Sequence, residues 1–329
     1  MEKLWAGRAA KQLDQLADDF NSSIHFDSRM YRQDIQGSMA HATMLAAKNI
    51  ISEEELTQTI KPETLIATVA DLWNTEHRVI YYGPMEKEEV AKVIAETHKV
   101  GDALKQVEKN TTFVPQQVTE NIVYIAPYDA NQIYLSAISN YGEKYSEDLH
   151  PSITLYNEYF GGGMNSIVFQ EMREARGLAY SAQALMAEPS RIEDPAYYMT
   201  YIATQNDKMI DALNAFDEII NNMPVSEKAF GIAKESLISR LRTERITRDG
   251  VLSYYLEQEE LGLTGDSRKQ LFEAVQAMTL DDVVAYQQNN VKNRKYITCI
   301  LGRESDLDMK SLEKWGKIIR LTQEDIFGY

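Results

Sequence analysis

The stretch YFGGGMNSIVFQEMREARGLAY, residues 159–180, sets Gly161, Gly162 and Gly163 ahead of an amphipathic run that carries Arg173 and ends at Tyr180. A guanidinium and a phenol are both hydrogen-bond donors, and neither has to give up a proton to act. Held across a cleft, two such donors can bind an oxygen that carries or develops negative charge. Gly177 lies between them and is expected to end a helix as its C-cap. Arg173 then falls in the last helical turn and Tyr180 at the start of a strand. The three glycines, having no Cβ, let backbone approach a bound chain closely. A plainer reading uses the same residues: a glycine link between two helices, Arg173 paired with Glu171 or Glu174, and Tyr180 half-buried in a strand. A phosphate cradle is set aside, because GGGMNS has no P-loop lysine and lies between helices.

The elements that must position these residues follow from pattern. The first sixty residues read as all-helical, with an apolar face in DQLADDF, an Ala/Leu-rich MAHATMLAAKNI, and a capping box in SEEEL from Ser52 to Glu55. PETLIATVADLW opens a further helix with proline near its first position. HRVIYYGP reads as a buried strand ended by Gly83-Pro84, and EKEEVAKVIAETHKV as a helix. Residues 101–118, with TTFVPQQ, read as a linker or crossover. NIVYIAP and NQIYLSAIS are then strands, SEDLHPSITLYNEYF a helix, and GLAYSAQALM and AYYMTYIAT two more strands. NDKMIDALNAFDEIINNM, SEKAFGIAKESLISRLRTERI and VLSYYLEQEELGL are helices, and the chain closes with helix, strand and helix. LIATVADLWNTEHRVIYYG (65–83) can be laid over VAYQQNNVKNRKYITCILG (284–302) at an offset of 219, which reads as an internal duplication.

Composition narrows the function classes. The net charge of −16 makes nucleic acid a poor partner, and there is no basic patch with interleaved aromatics. No apolar run is long enough to span a membrane, and the N-terminus has no signal-peptide h-region, so the expected compartment is the cytoplasm. The single cysteine, Cys299, lies in the apolar run YITCIL and reads as a buried strand residue.

Taken together, the paired strands, helix, glycine turn, helix with arginine, and glycine before tyrosine resemble the α+β unit of the insulinase/pitrilysin zinc peptidases. The resemblance covers 62–329, including the final EDIFGY. It implies an open, mostly antiparallel sheet flanked by helices, in duplicated domains that pair around a peptide chamber. In that family zinc is held by an inverted H-x-x-E-H helix. His25, His41, His77, His98 and His150 do not form one. The resemblance is therefore to the non-catalytic, substrate-side half, with no metal ligand and no catalytic residue in this chain alone. Arg173 and Tyr180 match the family's arginine and tyrosine seven residues apart, which implies that they, with Gly161, Gly162 and Gly163, hold the peptide. Zinc is expected only in a missing or partner half.

Residues 1–60 resemble the N-terminus of argininosuccinate lyase, carried by KLWAGR, FNSSIHFDSRMYRQDIQGSMAHATML and NIISEEEL. Ser23 and Asp27 stand where that family helps hold its substrate. No GSSxMPQKxNP-like segment follows, so these residues are expected to lack elimination chemistry. The chain thus reads as the head of one protein joined to the tail of another near TQTIKPETL. Three regions are expected: a helical segment at 1–60, the tail of a truncated α+β domain at 62–117, and a complete α+β domain at 118–329. The alternatives to a substrate-side peptidase half are a fragment of a fumarate-releasing lyase and a non-enzymatic scaffold module.

Overall fold

A computed structural model describes residues 28–48, 51–52, 62–98, 100, 103–107, 116–129 and 131–328. Ser23, Asp27, His25, Glu55, the DQLADDF helix and most of the TTFVPQQ linker lie outside the described residues. The chain divides into two compact units, Met1–Glu76 with Val100–Val107, and His77–Lys99 with Glu108–Tyr329.

In the first unit, α1 spans Tyr31–Ala47 and α2 spans Pro62–Leu72. Thr75 and Lys105 form an isolated parallel bridge, and the Lys105 Nζ meets both oxygens of Asp71 at 2.7 and 2.8 Å.

The second unit opens on the segment HRVIYYGP, and here the expectation of a buried strand fails. Residues 76–82 form no strand; Val79 is 53% and Tyr82 55% exposed. A strand exists only through the ladder of a neighbour, and this segment finds none among the described residues. The segment that aligns with it at the offset of 219, YITCILGR, contains β5, Ile297–Gly302, which is paired on both sides. The helices expected on either side of HRVIYYGP do form: α2 before it and α3, Lys87–Thr97, after it.

The rest of the second unit is α+β. Its strands are β1 (Ile122–Pro127), β2 (Gln132–Ser139), β3 (Ser181–Ala187), β4 (Tyr197–Gln205), β5 and β6 (Lys317–Arg320). They form one open sheet in the order β3-β4-β2-β5-β1-β6. The β3/β4, β4/β2 and β2/β5 pairs are antiparallel, and β5/β1 and β1/β6 are parallel. β6 is a strand that sequence pattern did not reveal. KIIR is too short to show alternation, and its pairing with β1 forms it.

The helices are α4 (His150–Phe160), α5 (Ile167–Phe169, continued as a π-helix over Gln170–Ala175), α6 (Met209–Asn221), α7 (Glu227–Thr243), α8 (Val251–Glu260) and α9 (Ser267–Ala277). After them come α10 (Leu280–Tyr286, continued as a π-helix over Gln287–Val291), α11 (Met309–Leu312) and α12 (Gln323–Phe327). β2 and β3 alternate in burial along their length. In β2, Ile133, Leu135, Ala137 and Ser139 are buried while Ser136 and Ile138 on the opposite face are exposed. Ile133 and Leu135 join one core with Tyr156 and Phe160 of α4, Phe216 and Ile219 of α6, Leu237 of α7, Val275 of α9 and Val283 of α10. α6 shows the helical counterpart of this period, burying Met209, Ala212, Leu213, Phe216, Ile219 and Ile220. Cys299 points to the less covered face, half-buried, and burial pushes its thiol up.

Local chemistry sets the helix starts. Ser226 caps α7 by accepting from the Ala229 N–H, and Thr279 and Asp282 form a capping box on α10. Asp266 caps α9. Its carboxylate accepts from the Arg268 backbone N–H at 3.0 Å, from Arg268 Nε at 2.8 Å and from the Tyr254 hydroxyl at 2.9 Å. The Arg268 side chain, above all, lowers its pKa from 3.8 to about 2. A carboxylate with a depressed pKa contributes stability that is present above its unfolded value and is lost as pH falls through its folded value. Asp266→Asn is therefore expected to lower stability at pH 7 by about 0.5 kcal/mol, the scale of an exposed pair. The gap from wild type should close between about pH 4 and pH 2. Thermal unfolding of both proteins across that window checks it, and a gap that stays constant would refute the charge assignment.

Candidate functional site

The site is built around the junction of α5 and β3. Ser166 starts α5 by accepting from the Phe169 N–H, with Ile167, Val168 and Met172 buried beneath it. The helix then widens into its π turn and stops at Gly177, whose φ of +57° is the left-handed conformation that favours glycine. The Gly177 N–H donates to the Arg173 carbonyl at 3.2 Å, and the Leu178 N–H to that of Met172 at 2.8 Å. The Thr204 hydroxyl donates to the Leu178 carbonyl at 2.6 Å, and the Tyr180 N–H to the Ala203 carbonyl at 2.9 Å. Residues 177–180 are thus pinned to the end of β4. Arg173 stands near the helix end and Tyr180 one residue ahead of β3.

These constraints bring Arg173 and Tyr180 together. The guanidinium carbon lies 5.4 Å from the centre of the Tyr180 ring and 5.0 Å from that of Phe169. Phe169 is one helical turn before Arg173, a partner that helical spacing alone reveals. Tyr180 is 71% exposed. Glu174 is the carboxylate nearest Arg173, 3.6 Å from its Nε. Arg176 takes up the stronger ion pairs on this turn, with Glu218 at 2.8 Å and Glu171 at 3.4 Å. Arg173 and Tyr180 line a cavity of about 260 Å³ together with Gln132, Gly177, Leu178, Ala179, Thr204, Gln205 and Lys208. Gln132 and Lys208 arrive from β2 and from the turn after β4, and nothing in the sequence around Arg173 points to them.

The three glycines do not line this cavity. Gly161 caps α4 and is buried against β3: a Cβ there would collide with the Ala184 carbonyl oxygen and lie 2.8 Å from its nitrogen. β3 is the edge of the sheet, and α4 covers it. The Asn157 side chain donates to the Met186 carbonyl and accepts from its N–H, both at 2.9 Å, standing in for the next strand. At Gly162 a Cβ would lie 2.8 Å from the Asn157 carbonyl, and at Gly163 it would meet nothing within 4 Å.

Among the described residues no group of three or more His, Cys, Asp or Glu side chains is arranged to hold a metal ion. His77 and His98 meet Nε2 to Nε2 at 2.6 Å, and the His150 Nδ1 lies 2.7 Å from Glu188, but neither pair gathers a third ligand.

Residues 76–237 match the family model of the peptidase M16 inactive domain. That is just under half of the chain, and it contains α4, α5, β3 and both Arg173 and Tyr180. The M16-like fold agrees with solved structures. The M16 inactive domain from Pseudomonas fluorescens superposes with a TM-score of 0.51 at 16% identity, over 67% of this chain and 51% of that one. A conserved protein from Enterococcus faecalis V583 superposes with a TM-score of 0.60 at 14% identity, over 86% of this chain and 67% of that one. At such identities the likeness is one of fold. The second resemblance is short. The argininosuccinate lyase of Clostridium botulinum strain Eklund 17B is 65% identical over 52 residues, which are 16% of this chain and 11% of that protein. The lyase of Ruminiclostridium cellulolyticum is 68% identical over 53 residues, 16% of this chain and 12% of that protein. The chain spans about a tenth of the length of these curated relatives.

Proposed function

We propose that the M16-like region is the substrate-side, non-catalytic half of a zinc peptidase. In this reading it closes over an extended peptide and holds a carbonyl with Arg173 and Tyr180. The observation that supports it is the convergence of these two donors, from a helix end and a strand start, on the wall of one cleft. Tyr180 is 71% exposed, and the Arg173 guanidinium carbon lies over the rings of Phe169 and Tyr180; both side chains are hydrogen-bond donors. Zinc and the attacking water belong to a partner half, upstream in the same protein or on another chain. Residues 62–117 and 118–329 are then the tail of one repeat and a complete second repeat. Gly162 and Gly163, both exposed, are where peptide backbone can approach the turn. The compartment that fits this reading is the cytoplasm.

The chain alone is expected to cleave no unstructured peptide and to bind no stoichiometric zinc, whereas mixing it with a zinc-bearing M16 half is expected to yield cleavage. Tight zinc together with cleavage by the chain alone would overturn the proposal. The lyase alternative rests on residues 1–60, and Ser23 and Asp27 lie outside the described residues. Fumarate release from argininosuccinate, read by ultraviolet absorbance, tests it, and none is expected.

A further inference from the structure

The cavity beside Arg173 and Tyr180 has a charge character unlike the rest of the protein. Acidic side chains outnumber basic ones 50 to 34, yet the charged residues that line this cavity are Arg173 and Lys208, and no acidic residue lines it. Lys208 sits in the turn between β4 and α6. Its Nζ donates to the Gly177 carbonyl at 3.1 Å, and among the described residues it makes no ion pair. That bond ties Lys208 to the residue that ends the Arg173 helix, so the two cations are held on one wall. Glu174, the partner of Arg173, is 54% exposed and approaches only Nε, at 3.6 Å. Asp207 adjoins Lys208 in sequence but does not line the cavity. The remaining polar lining, Gln132, Gln205 and Thr204, is neutral. At about 260 Å³ the space admits a glutamate-sized side chain.

We propose that this cavity receives a carboxylate of the bound peptide, so that the site selects acidic segments as well as holding backbone. The inference rests on the substrate-side reading above. A carboxylate pairs with the guanidinium fork and the ammonium together, where a neutral amide loses the charge-assisted part of both bonds and an ammonium is repelled. The carboxylate comes from a glutamate side chain or from the peptide C-terminus, and the experiment separates the two.

Fluorescence anisotropy of the full chain with labelled, unstructured peptides is the test. Three C-terminally amidated peptides differ only in one central residue, Glu, Gln or Lys, and a fourth is the Gln peptide with a free C-terminus. The Glu peptide is expected to bind roughly fivefold tighter than the amidated Gln peptide, and the Lys peptide weakest. The differences should collapse in high salt. Tighter binding of the free-terminus Gln peptide instead assigns the cavity to the chain end. Lys208→Gln should remove the preference and Lys208→Glu should invert it, with circular dichroism unchanged in both. Equal affinity for all four peptides overturns the inference while leaving the substrate-side reading intact. Tyr180→Phe should weaken all four alike; if it has no effect while the charge order persists, the carbonyl-holding reading falls and the charge preference stands. No binding of any peptide overturns the reading on which the inference rests.

Discussion

Arg173→Ala is expected to lower kcat/KM of a reconstituted two-half peptidase by a factor of roughly 10 to 10³, or about 1–4 kcal/mol of transition-state stabilisation. The loss should appear mainly in kcat, because a donor aimed at a developing oxyanion contributes more in the transition state than in the ground state. Tyr180→Phe is the cleaner probe. It removes one O–H and keeps the ring that faces the guanidinium at 5.4 Å, so Arg173 retains its position. A comparable fall in kcat for Tyr180→Phe would assign the effect to hydrogen bonding. Arg173→Lys should not restore activity, since an ammonium has neither the planar fork nor the stacking on Phe169 and Tyr180. If kcat and KM are indifferent to all three substitutions, the chain acts as a scaffold and the substrate-side assignment is wrong.

Gly161→Ala is expected to destabilise the second unit by about 2 kcal/mol, within the range for overpacking a tight contact. The cost is steric. Gly161 has φ −134° and ψ −2°, a backbone that alanine tolerates, so no conformational strain enters. The obstacle is the backbone of Ala184 in β3, which cannot move without lifting the edge strand from the helix that covers it. Gly163→Ala is the control. Nothing lies within 4 Å of its Cβ position, and reduced freedom of the unfolded chain should make that change neutral or slightly stabilising. Urea unfolding midpoints of the two variants check the contrast. Equal midpoints would mean that the close approach of α4 to β3 does not govern stability.

Much of the fold was legible because local pattern and tertiary partners agree. β2 and β3 alternate with period two, β1 and β4 do so up to their last residues, and α6 and α7 repeat apolar residues at helical spacing. The misses share one cause. HRVIYYGP has the composition of a strand but finds no neighbouring strand among the described residues, and KIIR has little composition but finds β1. Strand formation is a property of a pair, and a single sequence displays only one member. The candidate site divides in the same way. Arg173, Gly177 and Tyr180 lie within one short stretch, so their spacing shows in the sequence. Lys208 and Gln132 come from other elements, and only the sheet order brings them to the same cavity.

From the sequence came the helix stop at Gly177 and the absence of an H-x-x-E-H motif, and, through the family resemblance its motif carries, the α+β class and the pair Arg173 and Tyr180, because each depends on short-range stereochemistry or on a contiguous motif. Tertiary structure decided what surrounds those donors. It packed Gly161 against β3, set the Arg173 guanidinium over the rings of Phe169 and Tyr180, and lined their cavity with a second cation and no anion. Those are contacts between distant segments, and their energies exist only once the sheet has ordered its strands.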